Sequence, residues 1–225
     1  MERVFDLIFS SLALILLLPL FTVIILLLRF TGEGEIFYLQ KRLGRNGEMF
    51  SLIKFATMLK DSPKLGTGTI TMKNDPRVLP VGSFLRKTKI NELPQLLNIF
   101  LGNMSVVGPR PLTKETFNAY SDEVKKNILT VRPGLSGVGS IIFRNEEDIL
   151  SGSSASLDFY EKKLAPYKGT LESWFVKNRS IHTYFKCILI TLYVVCFPKS
   201  SIAWRVLDSL PKPPKELRVI LKYPF

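Results

Sequence analysis

The chain has 225 residues, of which 46% are hydrophobic, and its 31 lysines and arginines against 19 acidic residues give a net charge of +12. This apolar content excludes a disordered chain, and the length favours one domain. The two cysteines, Cys187 and Cys196, lie in one apolar stretch, so the sequence lacks the disulfide framework typical of small secreted proteins.

The amino-terminal segment is an uncharged run from Leu7 to Leu28, long enough as a helix to cross a bilayer core of about 30 Å. The run exceeds the apolar core of a signal peptide and no small-residue cleavage site follows it, so we expect it to be retained. Pro19 favours a kink near its middle. Basic residues flank both ends, Arg3 on one side and Arg29 on the other, which the positive-inside tendency places together in the cytoplasm. These residues leave a re-entrant hairpin and a kinked spanning anchor equally open.

Residues 32–180 are predicted to form a compact α+β body without repeats. Two strand-like runs, Ile36–Gln40 and Met49–Ile53, flank a turn that contains Gly and Asn, which is typical of a hairpin. The pattern also predicts a Ser/Gly loop at Ser151–Ser156 and helices at Lys54–Leu59, Leu93–Leu101, Thr113–Asn127 and Leu157–Leu164.

Residues 181–225 form the third segment of this single functional domain. Apolar residues recur at helical spacing between Ile181 and Cys196, which predicts an amphipathic helix. Its uncharged part is too short to cross a bilayer, so we expect the helix to lie in the membrane interface, with packing against the body as the alternative. Beyond Pro198 we predict irregular or surface-lying chain.

Basic residues concentrate between Lys41 and Lys89, a segment that contains eleven lysines and arginines but only three acidic residues. Such a segment suits a phosphorylated ligand, an anionic bilayer or nucleic acid. We expect no nucleic-acid partner, because no recognised nucleic-acid-binding motif is present. The sequence also lacks H-E-x-x-H, C-x-x-C and P-loop motifs, which excludes the common zinc and nucleoside-triphosphate sites.

The densest pattern is RKTKINELPQLLNIFLGNMSVVGPRP, from Arg86 to Pro111. It resembles the signature of bacterial sugar transferases, the monotopic polyprenol-phosphate phosphoglycosyl transferases. The matching residues are Glu92-Leu93, Gln95-Leu96, Asn98, Met104-Ser105 and Gly108-Pro109-Arg110-Pro111, with flanking matches at Phe37, Gln40, Arg42, Lys54–Met58, Asp75–Arg77, Arg132–Gly134, Arg144-Asn145 and Val176–Asn178. The resemblance covers residues 3 to 195, nearly the whole chain.

The resemblance implies a membrane-resident monotopic fold with a re-entrant N-terminal helix (residues 1–31), broken at proline, and interfacial amphipathic helices. The family's break is typically Ser-Pro, where this chain has Leu18-Pro19. The implied reaction moves a sugar phosphate from a nucleoside diphosphate sugar, expected to be a UDP-sugar, to undecaprenyl or another polyprenol phosphate, and releases UMP. It would be the first membrane step of surface glycan synthesis, on the cytoplasmic face of the bacterial inner membrane. Later glycosyltransferases would be partners, while the sugar and the oligomeric state stay open.

The resemblance also assigns a site. Arginine forks bind phosphate through paired hydrogen bonds. We therefore expect the nucleotide sugar to be held by Arg86 and Arg110 first, then Arg132 and Arg144, with Lys54 and Pro111 in the same set. Glu92 is the expected carboxylate for Mg²⁺, which takes one or two protein carboxylates and leaves its other positions to phosphate and water.

Position 91 departs from the family pattern. The family's nucleophilic aspartate is replaced by Asn91, whose amide is a poor nucleophile. Asn91 with Pro94 is also typical of a helix N-terminus, which would direct N–H groups at a phosphate. Four accounts are open: direct transfer with Mg²⁺ on Glu92, attack by Glu92 itself, a non-catalytic homologue, and an engineered substitution. The principal rival to an enzyme is a silent homologue that binds nucleotide sugar or polyprenol phosphate and scaffolds glycan assembly.

Overall fold

The computed structural model describes residues 1–62, 75–144, 149, 159–198, 200–207 and 209–224. The predicted loop at 151–156 and the first residues of the predicted helix 157–164 lie outside these ranges. In chain order the structure forms α1 (Glu2–Phe30), β1 (Phe37–Leu43), β2 (Met49–Phe55), α2 (Pro80–Lys87), α3 (Gln95–Leu101), β3 (Ser105–Val107), α4 (Lys114–Asn118), α5 (Asp122–Ile128), β4 (Gly134–Ser136), α6 (Val138–Ile142), α7 (Ala165–Lys177), α8 (Ile181–Cys196), α9 (Ile202–Val206) and α10 (Lys215–Arg218). The predicted α+β class is confirmed.

Helix α1 lies along the body through much of its length. It continues through Pro19 and is, among the described helices, the one long and apolar enough to cross a membrane by length and composition. Near its first half, Leu14 and Leu17 pack on the cluster around Leu96, whereas Ile24 and Leu28 are buried in a second cluster farther along. The remaining faces of α1 expose large apolar side chains.

The buried carboxylate of Asp6 fixes the start of α1. Its Oδ1 accepts hydrogen bonds from Ser105 Oγ (2.9 Å), the Val106 N–H (2.9 Å) and Tyr184 Oη (2.8 Å). These donors belong to β3 and α8, so one side chain joins three elements. Because a buried carboxylate must be hydrogen-bonded, this junction specifies how α1 meets the body.

The predicted hairpin is present, with β1 antiparallel to β2 and Phe37 opposite Phe55. The prediction of a helix at Lys54–Leu59 is wrong. Strand β2 continues to Phe55, and the extended chain then bridges Met58 to Val78. Pairing with β1 and with residues 77–79 satisfies the backbone groups that a helix would have bonded internally.

Two parallel strands that the sequence did not indicate, β3 and β4, bring two motifs together. The Gly108 N–H donates to the Ser136 carbonyl (2.9 Å), and the Gly134 N–H donates to the Pro109 carbonyl (2.8 Å). A Cβ on Gly134 would lie 2.1 Å from the Gly108 nitrogen. Only glycine allows this approach, so the Gly-Pro-Arg-Pro and Arg-Pro-Gly segments are packed backbone against backbone.

The predicted helix at Leu93–Leu101 is confirmed, although α3 itself begins at Gln95. The helix predicted at Thr113–Asn127 is divided into α4 and α5. The reason is local capping, since Thr113 Oγ1 accepts from the Thr116 N–H (3.3 Å) and Ser121 Oγ accepts from the Val124 N–H (3.5 Å). Each hydroxyl starts its own short helix.

The carboxyl-terminal segment belongs to the main hydrophobic core. Helix α8 buries Tyr184, Cys187, Ile190 and Val194 against the body and exposes apolar residues on its other side. The prediction of an irregular or surface-lying tail is wrong, because α9 and α10 pack into this core through residues that include Ala203 and Leu217. Apolar residues between the prolines are too few to show a period, so only tertiary packing reveals these short helices.

Candidate active site

A cavity of about 760 Å³ lies between the β1–β2 hairpin, the 88–93 segment, the Gly-Pro-Arg-Pro loop and α8. Six of the residues predicted from the sequence line it: Lys54, Arg86, Asn91, Glu92, Arg110 and Arg144. Among the described residues, eight cationic side chains line this cavity against two carboxylates, Glu35 and Glu92. The cations are Arg42, Lys54, Lys60, Arg86, Lys89, Arg110, Arg144 and Lys168. Such an excess of positive charge suits a polyanionic ligand.

Glu92 is at the centre of this charge. Its Oε1 lies 3.3 Å from Lys54 Nζ and 3.3 Å from the Arg110 guanidinium. Burial opposes ionisation of Glu92, but attraction from Lys54, Arg110 and Lys89 outweighs burial and holds the pKa of this carboxyl well below its usual range. Glu92 is therefore a carboxylate at every physiological pH.

Lys54 reaches the cavity from β2. It pairs with Tyr38 across the hairpin, and the period-two alternation of a strand places Gln40 and Arg42 on that same face. Burial lowers the pKa of the Lys54 ammonium to about 8, although Glu92 opposes the shift. Lys54 thus loses its charge within an accessible pH range.

Arg42 and Gln40 are functional candidates that the sequence analysis did not assign to the site. The Arg42 Nε donates to Gln40 Oε1 (3.1 Å), and its Nη1 donates to the Pro111 carbonyl (3.1 Å). Burial and the nearby Arg110 lower the pKa of the Arg42 guanidinium to about 10. The alternation of β1 was the sequence signal, because a strand that alternates Tyr38, Gln40 and Arg42 has one polar face.

Asn91 is 6% exposed and lies in a 3₁₀ turn, Ile90–Glu92, that follows Lys89 in the left-handed conformation (φ 62°). The prediction of Asn91 as a helix N-cap is wrong, because Pro94 precedes α3 and no side chain caps it. Within the described structure, Asn91 Oδ1 is buried without a hydrogen-bond partner. A buried polar atom in this condition is costly, which is typical of a site that receives a ligand.

Arg110 is held from two directions. Its guanidinium meets Glu92, while its backbone N–H donates to Glu172 Oε1 (3.2 Å). Glu172, on α7, is 1% exposed, and a Cβ on Gly139 would lie only 2.3 Å from that Oε1. Burial raises the pKa of Glu172 to about 7. The hydrogen bond from the Arg110 N–H and the positive charge of Lys168 oppose this rise but do not cancel it. Sequence reasoning missed Glu172; an acid within the apolar Leu171–Phe175 stretch was the available signal.

The other predicted residues have different positions. Arg86 approaches Met58 Sδ (3.9 Å), and burial lowers the pKa of Arg144 while Glu92 opposes the shift. Arg132 does not line the cavity: its Nε donates to the Gly102 carbonyl (2.8 Å), beside a separate pocket at the start of α1. The structure therefore brings together Arg86, Arg110 and Arg144 but not Arg132.

The donor set is compatible with Mg²⁺. Among the described residues there is no group of three or more His, Cys, Asp or Glu that could hold a metal ion. Mg²⁺ does not need one, since it commonly binds one or two protein carboxylates together with substrate phosphates and water. Glu92 would supply a carboxylate, and Asn91 Oδ1, which has no hydrogen-bond partner among the described residues, would supply a second oxygen close in sequence.

Comparison with known proteins identifies the family of this chain. Residues 1–198 match the family model of bacterial sugar transferases. The chain is 35% identical over 214 residues to the exopolysaccharide production protein ExoY of Rhizobium meliloti, covering 89% of this chain and 87% of that protein. It is 33% identical over 193 residues to an undecaprenyl-phosphate galactose phosphotransferase of Salmonella typhimurium, covering 79% of this chain and 37% of that protein. It is also 32% identical over 205 residues to a UDP-glucose:undecaprenyl-phosphate glucose-1-phosphate transferase of Klebsiella pneumoniae, covering 89% of this chain and 41% of that protein.

The resemblance drawn from the Arg86–Pro111 pattern is thus confirmed over most of the chain. The cationic cavity around Glu92 lies inside the matched residues, as do the two packed glycine motifs. The chain belongs to the family of bacterial sugar transferases.

Proposed function

We propose that this enzyme transfers a sugar phosphate from a nucleoside diphosphate sugar, a UDP-sugar, to polyprenol phosphate, as the first membrane step of surface glycan synthesis. The observation that carries the proposal is the partly buried Glu92–Lys54–Arg110 cluster in a cavity that, among the described residues, is lined by eight cationic side chains. Three phosphate groups must meet in this reaction, and their mutual repulsion is the barrier that such a cavity lowers.

The reaction balances without an external base. An oxygen of polyprenol phosphate attacks the phosphorus that bears the sugar, the bond from that phosphorus to the bridging oxygen breaks, and UMP leaves with the electron pair. Arg110 and Arg86 bind the diphosphate, because a guanidinium fork holds phosphate oxygens in a fixed orientation. Lys54 and Arg42 add charge from the hairpin, where burial, which lowers the pKa of both groups, also strengthens electrostatic attraction.

Glu92 has two tasks in this scheme. Its carboxylate fixes Lys54 and Arg110 relative to each other before substrate arrives, so little reorganisation accompanies the reaction. Together with Asn91 Oδ1, the Glu92 carboxylate would also hold Mg²⁺. The ion would stabilise the negative charge that develops on the phosphate oxygens. Asn91 then acts as an oxygen ligand and positioning residue.

We further propose direct transfer rather than a covalent intermediate. The Asn91 amide does not form an acyl phosphate, and the two cations at 3.3 Å from Glu92 Oε1 reduce the nucleophilicity of that carboxylate. The Gly-Pro-Arg-Pro loop is meanwhile held in place by Glu172 and by the paired glycines. An intact anion-binding loop favours an active enzyme over a silent scaffold.

The proposed location is the cytoplasmic face of the inner membrane, with α1 re-entrant and α8 in the interface. Two contacts support it: Arg3 donates to the Phe100 carbonyl (2.8 Å) at one end of α1, and Leu28 is buried with Phe55 at the other. Both ends thus attach to one body. A cysteine inserted directly after Met1 and a cysteine at Gly34, each in a variant whose Cys187 and Cys196 are replaced by serine, should both label only after inner membranes are permeabilised. Labelling of position 1 in intact spheroplasts would contradict the re-entrant arrangement and indicate a spanning α1.

The decisive experiment is transfer itself. Purified protein in lipid nanodiscs, with undecaprenyl phosphate, Mg²⁺ and a panel of UDP-sugars, should release UMP and form a lipid-linked sugar diphosphate with at least one sugar. Release of UMP without undecaprenyl phosphate would indicate hydrolysis instead. No release with any sugar, from protein that still binds the nucleotide sugar, would support the silent scaffold.

A further inference from the structure

The lining of the cavity also includes a set of apolar side chains, called here the apolar region. They include Val106 and Leu135 from the β3–β4 pair, and Ile188, Leu192 and Val195 from α8. None of these side chains can bind a nucleotide or a sugar through hydrogen bonds. A hydroxyl pair, Ser136 Oγ and Thr191 Oγ1 at 2.6 Å, joins β4 to α8 beside this region.

The apolar region opens to the outside. Ile188, Leu192 and Val195 follow each other at i, i+4 and i+7, so they share one face of α8. Leu192 is 61% exposed and Val195 is 50% exposed, although both line the cavity. A side chain that is exposed and also lines a cavity marks its mouth, here an apolar one.

The mouth lies beside α1 as well. Val106 and Leu135 pack on the same buried cluster as Leu14 and Leu17 of α1. The outward side of α1 at this level, Ile15 among others, is exposed and apolar. An opening bordered by two apolar helix surfaces gives a hydrocarbon chain a path between the cavity and a bilayer, whereas a charged substrate would gain nothing there.

We infer that this apolar wall, formed by Val106, Leu135, Ile188, Leu192 and Val195, binds the isoprenoid chain of the acceptor as it passes between α1 and α8. The inference rests on the proposed function and extends it to the second substrate. One cavity contains a cationic end and an apolar mouth, which matches an amphiphile with one phosphate and a long hydrocarbon chain. Nucleotide sugar then has the aqueous side of the cavity to itself.

A matched pair of variants on α8 tests the wall. Leu192→Trp places bulk at the mouth, while Leu189→Trp places it at a residue that is 65% exposed but does not line the cavity. Transfer is measured with undecaprenyl phosphate and with the two-isoprene geranyl phosphate in the same nanodiscs. Leu192→Trp should raise the KM for undecaprenyl phosphate about tenfold. This is the change expected when the acceptor loses the burial of about two methylene groups. The KM values for geranyl phosphate and UDP-sugar should stay within about twofold, and Leu189→Trp should change none of them.

Equal effects of the two variants, or equal losses with both acceptors, would overturn the wall while leaving the proposed reaction intact. If wild-type protein transfers sugar to neither acceptor, the proposed function fails, and crosslinking decides the inference separately. A benzophenone-bearing polyprenyl phosphate should label residues 188–195, with protection by undecaprenyl phosphate but not by phosphatidylglycerol. Labelling elsewhere, or equal protection by phosphatidylglycerol, would contradict it.

Discussion

Two glutamates, the partly buried Glu92 and the fully buried Glu172, contact Arg110 at different atoms and differ in pKa. Glu92 receives the guanidinium and Lys54, and its pKa is held well below its usual range. Glu172 accepts the Arg110 backbone N–H on Oε1 and also a backbone hydrogen bond from Gly139, its Oε2 has no partner within the described structure, and burial raises its pKa to about 7. Burial alone therefore does not decide ionisation; the number of cationic side chains in contact does.

This difference in pKa indicates that the surroundings of Glu92 and the surroundings of Glu172 have different roles. The Glu92 region is charged, opens into the cavity and is suited to hold phosphate. In the Glu172 region, α7 meets Gly139 and the Gly-Pro-Arg-Pro loop, and Glu172 fixes the backbone that presents Arg110. Substitution in the first region should change catalysis, and substitution in the second should first change stability.

The largest expected effect is that of Glu92→Gln. Removing the carboxylate leaves Lys54 and Arg110 without their shared partner and removes the proposed Mg²⁺ ligand, so kcat should fall by about 10²–10³-fold. Thermal unfolding and membrane association should be unchanged. EDTA should reduce wild-type activity to a similar degree, and full activity of both Glu92→Gln and EDTA-treated protein would show that this site assignment is wrong.

Glu172→Gln should act on stability and its pH dependence. The folded-state pKa of about 7 is raised from 4.5, so the protonated form favours folding below pH 4.5 and that contribution is lost as pH rises through 7. Wild-type protein should lose about 3 kcal/mol of unfolding free energy over this range relative to Glu172→Gln. Chemical unfolding followed by tryptophan fluorescence at pH 5 and pH 8 measures the difference. Parallel pH profiles would show that Glu172 keeps its ordinary pKa.

Lys54→Arg tests the charge on the hairpin side of the cavity. Because the pKa of Lys54 is about 8, wild-type transfer should decline above that pH, by about tenfold per pH unit where the cation is needed. An arginine stays charged to higher pH, so the variant should lack this alkaline decline even if its maximal rate is lower. If the activity of Lys54→Arg falls at the same pH as that of the wild type, the alkaline decline is caused by another group.

Asn91→Asp should have the smallest effect on rate. If Asn91 is a positioning residue for direct transfer, the variant should change turnover by less than about tenfold, since a carboxylate oxygen replaces the amide oxygen in the same volume. Wild-type protein with labelled UDP-sugar alone should form no covalent adduct, and initial rates should give intersecting double-reciprocal lines. Activity that appears only in Asn91→Asp would instead identify this chain as a silent form of a covalent enzyme. A phosphosugar adduct on Glu92 of the wild type would indicate a shifted nucleophile.

The sequence by itself determined the features that depend on local pattern. Two strand-like runs around a Gly- and Asn-containing turn predicted the hairpin, a continuous apolar run predicted α1, and apolar residues at helical spacing predicted α8. The Arg86–Pro111 motif identified the family. The motif supplied four residues of the cavity lining, Arg86, Asn91, Glu92 and Arg110, and the flanking family matches supplied Lys54 and Arg144. These properties follow from neighbours along the chain.

Only the tertiary structure decided the rest. Strand pairing, not local propensity, extended the chain at residues 54–59, and core packing formed the short helices of the tail. Arg132 carries the same charge as Arg110 in a similar Pro-containing motif, yet its guanidinium bonds to Gly102 away from the cavity. Glu172 is sixty-two residues from Arg110 along the chain and still holds its backbone. Such contacts between distant segments leave no periodic signal, since they depend on how the packed elements meet.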